Sequence, residues 1–303
     1  MNATWGLIKR AGRATLSKRL HLYNSLANSG ALYGVEVWGW PFNEDYNRLY
    51  ARAHKMALGV AKNTPEYIWR LEAGVESSLF MTRKRASRYL VDILRMEDSR
   101  WPKLCLREEV RNIMNGKPSK WGKAVVQTLE LMECEDVLEL IWRKHDPDEV
   151  QQRLDEGFEV LRVLEEKKTR EMVFKSTYCP LYKFIKTTEN CEDYWKDKTG
   201  ESWTKEVWAR LRCGSVERCF KKGFKDWTCR ICNSQQETLA HLLTCREARN
   251  LCSEKTVQVI QSLTENKYEA DLDFLVKELL RGPPVREVCS LIAAIERAGK
   301  RDE

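Results

Sequence analysis

The stretch Cys229-Arg-Ile-Cys232-Asn-Ser-Gln-Gln-Glu-Thr-Leu-Ala-His241-Leu-Leu-Thr-Cys245 constrains this chain more than any other. Two thiols stand two positions apart, as on a tight turn that aims both sulfurs inward. After eight intervening residues come a His and a Cys four positions apart, a spacing that puts both side chains on one face of a helix. Thr238 is placed to cap that helix. Three thiolates and an imidazole can close a tetrahedral Zn²⁺ shell with no open coordination position, which marks a structural rather than a catalytic site. In a chain with eleven cysteines a Cys-x-x-Cys pair is weak by itself; the downstream His and the fourth Cys at ligand spacing make the pattern specific. Cys213, Cys219 and Cys252 are competing ligands of lower rank, and buried thiols or a redox pair are the alternatives.

Six of the eleven cysteines fall between 213 and 252. An odd, clustered count is unlike a secreted disulfide framework and points to a reduced, intracellular compartment. No apolar run approaches the length of a membrane span. The basic start, with Lys9, Arg10, Arg13, Lys18 and Arg19, lacks the apolar core of a secretory leader.

The net charge of +7 is unevenly spread. The first 30 residues hold five bases and no acid. Residues 210–230 hold Arg210, Arg212, Arg218, Lys221, Lys222, Lys225 and Arg230 against Glu217 and Asp226. Residues 124–166 reverse this, with thirteen acids and four bases. Two basic zones separated by an acidic one suit a surface that faces polyphosphate, although charged helices also serve solubility alone. Aromatics interleave with the second basic zone. Phe224 and Trp227 could stack bases or fill the small core a metal site needs, whereas Trp208 shares its helix with Val207 and Leu211 and reads as core.

Hydrophobic periodicity is helical almost throughout, and the few Gly and Pro residues argue against a turn-rich β fold, so a mainly α chain is expected. Leu16, Leu20, Tyr23 and Leu26 mark one buried helix face, with a break at Ser29-Gly30. Asn43-Glu44-Asp45 starts a helix, and so does Asn63-Thr64-Pro65, with Gly74 as its stop. Residues 119–142 read as one helix. Asp146-Pro147-Asp148-Glu149 starts a long one, ending near Phe174. Helices follow at 253–265, 269–281 and about 285–298. His145, His21 and His54 have no evident catalytic partners and read as structural or surface groups. The Arg83, Lys84, Arg85 and Arg88 cluster reads as solvated surface or as phosphate contact.

Several separated motifs together resemble one family. Cys229-Arg-Ile-Cys232 with Glu237-Thr-Leu-Ala-His-Leu-Leu-Thr-Cys245 is similar to the zinc knuckle near the C-terminus of reverse transcriptases from arthropod non-LTR (LINE-like) retrotransposons. Val207-Trp-Ala-Arg-Leu-Arg-Cys-Gly214 is similar to the stretch that precedes that knuckle. Leu22-Tyr-Asn-Ser-Leu26 with Leu32-Tyr-Gly-Val-Glu-Val-Trp-Gly39 resembles the segment after the polymerase palm, and Thr64-Pro-Glu-Tyr-Ile68 the start of the region after the thumb. The matches keep family order and span roughly residues 15 to 250.

The resemblance implies a thumb-like helical region at 1–62; the chain continues with a helical linker at 63–175, an aromatic and basic segment with the CCHC knuckle at 176–252, set off where periodicity breaks near 176–200, and a C-terminal helical tail at 253–303 that carries no family motif. It implies RNA or DNA as partner, Zn as cofactor and a nuclear setting. Phosphate contacts would come from Arg212, Lys221, Lys222, Lys225 and Arg230, and in the thumb-like region from Lys18, Arg19, Arg48 and Arg52. The chain holds no adjacent Asp-Asp pair such as a palm uses to bind two metal ions. It is therefore expected to be the C-terminal portion of such a protein, inactive in polymerisation by itself and normally accompanied by an N-terminal polymerase portion. A zinc-shaped protein-interaction module, or the product of a decayed element, stays open beside that reading.

Overall fold

A computed structural model describes Gly6 and residues 15–186, 191–197, 200–217, 227–265 and 269–299. The fold is mainly α, and among the described residues the sole β pairing is one isolated antiparallel bridge, Thr228 with Gln236. No described helix is long and apolar enough to cross a membrane. The residues group into two compact units, each built from stretches distant in sequence. These units cut across the four segments read from the sequence, because helices far apart along the chain bury their apolar faces on one another.

One unit comprises residues 28–50 and 76–169. Helices Ser78–Arg95, Trp101–Met114, Lys120–Leu131 and Asp136–Trp142, with most of Pro147–Phe174, enclose a core of Trp40, Phe80, Val91, Val110, Leu129, Leu154 and Phe158. Phe80 and Phe158 meet edge to face at 5.5 Å, the arrangement the ring quadrupoles favour. The Asp146-Pro147 start forms as expected, with Asp146 Oδ1 accepting from Asp148 N at 2.8 Å. Ser77 and Ser119 cap their helices by accepting from Phe80 N and Gly122 N.

The single helix expected over 119–142 is two helices. Glu133 takes the left-handed conformation (φ 54°), and the turn buries Met132 and Cys134 on both sides of it. Gly157 on the long helix makes this possible: a Cβ there would lie 2.8 Å from Cys134 Sγ and 3.0 Å from Met132 Cβ. The N-terminal helix also departs from expectation. The turn over Asn24–Asn28 is a π-helix, and its extra residue shifts the phase, so that Leu26 is exposed while Leu16 and Tyr23 are buried. Helical structure continues through Ser29–Ala31, and the break comes instead at Gly34 (φ 69°).

The other unit comprises residues up to 27, 51–75 and from 170 onward. Gly74 (φ 63°) closes the Glu66–Ala73 helix as expected. Trp208 is fully buried on the Ser202–Arg212 helix. The C-terminal helix Arg286–Ala298 turns Val288, Leu291, Ile292 and Ile295 into the same interior and packs against both Ser202–Arg212 and Glu254–Thr264. What reads along the sequence as a tail is thus part of the body that carries the Cys and His ligands.

Candidate metal centre

Cys229 and Cys232 lie on a short loop held between two backbone ties. Cys229 N donates to Gln235 O at 2.7 Å and Asn233 N to Cys229 O at 2.9 Å, with Asn233 in the left-handed region (φ 53°) that tightens the turn. His241 and Cys245 come from the helix Leu239–Thr244 and its C-terminal edge, and Thr238 caps that helix by accepting from His241 N at 3.1 Å. The sequence-derived cap and ligand faces are therefore present. One ligand atom from each of Cys229, Cys232, His241 and Cys245 lies within 4.8 Å of all the others. This Cys₃His cluster could hold a metal ion. Cys213 and Cys252 stand outside it, and Cys219 lies outside the described residues.

The surroundings suit a cation. Gln235 Oε1 sits 2.7 Å from His241 Nδ1, which assigns the proton to that nitrogen and leaves Nε2 to present its lone pair 3.4 Å from Cys232 Sγ. Ser234 Oγ donates to Cys232 Sγ at 3.1 Å. Burial opposes ionisation of Cys232, but the hydrogen bonds from Ser234, Cys229 and His241 outweigh it and bring the thiol down to about 6. Burial pushes the Cys245 thiol up to about 12 and raises Cys229. Three thiolates so close would repel one another unless a cation lay between them, and a bound cation reverses this balance.

Arg230 is not a phosphate contact, contrary to the sequence reading. Its backbone N and its Nε both donate to Glu237 Oε2, at 2.9 and 2.8 Å, and Nη2 donates to Val216 O at 2.6 Å. Glu237 is fully buried, so the guanidinium neutralises an interior carboxylate and ties the metal loop to the bend at Val216, just after the Ser202–Arg212 helix.

Arg212 is likewise an interior group. Nε donates to Glu72 Oε1 at 2.8 Å, Nη1 donates to Leu280 O, and Nη2 is 2.9 Å from Glu192 Oε1. Tyr182 and Tyr194 also donate their hydroxyls to Glu72, at 3.0 and 2.5 Å. Arg19, too, is buried, donating to Ala57 O at 2.8 Å and to Glu206 Oε1 at 2.5 Å. These three arginines hold the fold, and their side chains do not face solvent phosphate.

Lys18, Arg48 and Arg52 are exposed, Arg48 beside Glu44 and Asp45. Trp227 is exposed at the entrance to the metal loop. Lys221, Lys222, Phe224 and Lys225 lie outside the described residues. Arg83 is buried and donates to Trp40 O at 3.1 Å. His54 is buried and stacked on Trp69 at 5.3 Å, while His145 Nδ1 lies 2.9 Å from Glu149.

Sequence reasoning missed Gln235, Glu237 and Glu72. Gln235 and Glu237 are polar residues between the two ligand pairs, where an outer shell was to be sought. Glu72 gave no local sign, since its partner is 140 residues away. No protein-family model matches this chain, and no curated protein and no solved structure matches it.

Proposed function

We propose that this chain is a zinc-stabilised, nucleic-acid-binding portion of a non-LTR retrotransposon reverse transcriptase, one that grips RNA or DNA and leaves polymerisation to a palm elsewhere. The observation that carries the reading is the closed Cys₃His donor set. Four protein ligands with three sulfurs suit Zn²⁺, and with every position taken by protein the ion supports a fold and activates no water. Cys229, Cys232, His241 and Cys245 would hold it, and the ion would join the Cys-x-x-Cys loop to the Leu239–Thr244 helix. The family reading rests on the ordered motifs in the sequence. Two of them lie on helices linked by the Glu72–Arg212 pair, namely Thr64–Ile68 and Val207–Gly214.

Contacts to the nucleic acid backbone would come from Lys221, Lys222 and Lys225 before the metal loop and from exposed Lys18, Arg48 and Arg52, with Phe224 and Trp227 offered to bases. Partners in the nucleus would be the element's RNA or its DNA target, together with the polymerase portion. The test is charge reversal, Lys221→Glu with Lys222→Glu, with binding of labelled RNA and single-stranded DNA followed over a salt series and metal content measured alongside. Each lost phosphate contact should lower the slope of log affinity against log salt by about 0.7–0.9. Unchanged affinity and slope, at full metal content, would contradict the assignment of these lysines.

A second reading is favoured by a different observation. Asp148, Asp155, Glu156 and Glu159 form an exposed acidic stripe on the Pro147–Phe174 helix, suited to a basic protein partner. A wild-type protein that binds zinc but no RNA or DNA at low salt would favour that reading.

A further inference from the structure

Two neighbouring stretches and a distant helix of the unit that carries the metal centre meet in a strip where exposed rings alternate with cations. Phe174, at the end of the Pro147–Phe174 helix, is 70% exposed. Lys183 Nζ stands 4.8 Å from its ring centre and 5.1 Å from that of Phe184, itself 41% exposed. Lys277 Nζ approaches the Phe184 ring to 4.7 Å, and Arg281 Nε donates to Phe184 O at 2.8 Å. Phe274, Lys277 and Arg281 follow at helical spacing on the exposed face of Glu269–Arg281, and Phe274 is 63% exposed. The strip therefore runs Phe274, Lys277, Phe184, Lys183, Phe174, flanked by Arg281. Glu278, ion-paired with Arg281, is an acid beside it, and exposed Glu171 and Asp271 lie one turn from Phe174 and Phe274.

We propose that this strip binds single-stranded nucleic acid, with bases stacked on the exposed parts of the Phe184 and Phe174 rings and phosphates held by Lys183 and Lys277. This deepens the proposed function and rests on it. The occupant is chosen by chemistry. A single strand offers bases and phosphates in alternation, which a row of alternating rings and ammonium groups matches. Protein interfaces deplete lysine at their centre, whereas here lysines sit between the rings. Phenylalanine has no polar handle that would account for its exposure, and cations against its ring have their own attraction to it. A duplex keeps its bases stacked inside and would gain the phosphate contacts only.

The test uses the full chain and fluorescein-labelled twenty-nucleotide oligo(U), oligo(dT) and a duplex of equal length, read by anisotropy. Stacking on one ring is worth about 5- to 150-fold in affinity, so Phe174→Ala with Phe184→Ala should weaken single-strand binding at least about fivefold and duplex binding much less. Phe184→Trp should keep the single-strand affinity that Phe184→Ala loses, and Lys183→Glu should reduce the salt slope by about 0.7. Metal content and circular dichroism show that each variant is folded, and truncation of exposed rings leaves the interior intact. Wild-type binding that survives the double substitution overturns the strip while leaving the nucleic-acid reading standing. Equal losses for single strand and duplex overturn the stacking role. A double substitution that abolishes self-association but not oligonucleotide binding assigns the strip to a second copy of the chain and overturns the proposal. Absence of any wild-type nucleic-acid binding overturns both the strip and the reading beneath it.

Discussion

Arg212 Nε donates to Glu72 Oε1 at 2.8 Å, and both side chains are removed from solvent, at 1% and 0% exposure. The pair joins the Ser202–Arg212 helix to the Glu66–Ala73 helix. Two tyrosine hydroxyls, the Leu280 carbonyl and the Glu192 carboxylate, 2.9 Å from Nη2, complete the shell. Such a pair stabilises only as a whole. Removing one partner strands a charge in the interior, at a cost of about 3–5 kcal/mol, whereas apolar replacement of both is far less costly. Glu72→Ala should therefore lower the urea midpoint steeply, and Glu72→Met with Arg212→Met should recover most of the loss. Additive losses in the double variant would show that the two groups act independently.

Gly157 should tolerate no side chain. A methyl there meets Cys134 Sγ at 2.8 Å and Met132 Cβ at 3.0 Å, both on the tight turn at Glu133. Overpacking of this kind costs about 1–3 kcal/mol, even though alanine is the better helix former. Gly157→Ala should lower the thermal midpoint, and a rise would mean that the turn yields freely.

Gln235 should matter to the metal without touching it. Its side-chain oxygen orients His241 through Nδ1. Loss of such a partner weakens metal binding by about 10- to 100-fold. Gln235→Ala should release the ion to a chromogenic chelator at correspondingly lower chelator concentration, while Gln236→Ala, at the neighbouring exposed position, serves as the comparison. Equal retention in the two variants would remove Gln235 from the site.

Cys213 and Cys252 should be dispensable for metal binding. Cys213 is buried on the Ser202–Arg212 side of the unit, where burial raises its thiol well above the ordinary range. Cys252 lies beyond the Arg246–Arg249 turn, and burial raises its thiol too. Cys252→Ser should keep full metal content, and a loss would place a fourth sulfur in competition for the ion.

The parts of this structure legible in the sequence are those set by local chemistry. The Cys and His spacing, the Thr238 cap, the Asp146-Pro147 start and the Gly74 stop depend on residues a few positions apart. So does the mainly helical fold, which follows from periodicity. What stayed hidden depends on distant partners or on phase. Arg212 and Arg19 look on paper like Lys18, and only Glu72 and Glu206, far along the chain, make them interior groups. Leu26 matches the buried face of a regular helix but lies within a π turn that moves it outward. Glu133 carries no mark of its left-handed turn, because the glycine that permits that turn to pack, Gly157, is on another helix. The exposed strip of Phe174, Phe184 and Phe274 was equally out of reach, since it is assembled from three stretches.

The most direct test of the account is metal analysis of the purified chain, wild type beside Cys232→Ser. Cys232 faces His241 Nε2 at 3.4 Å and stands within the shared 4.8 Å cluster. The account predicts one zinc per wild-type chain and its loss in the variant. Wild-type protein without zinc, or a variant that keeps it in full, would contradict the central claim.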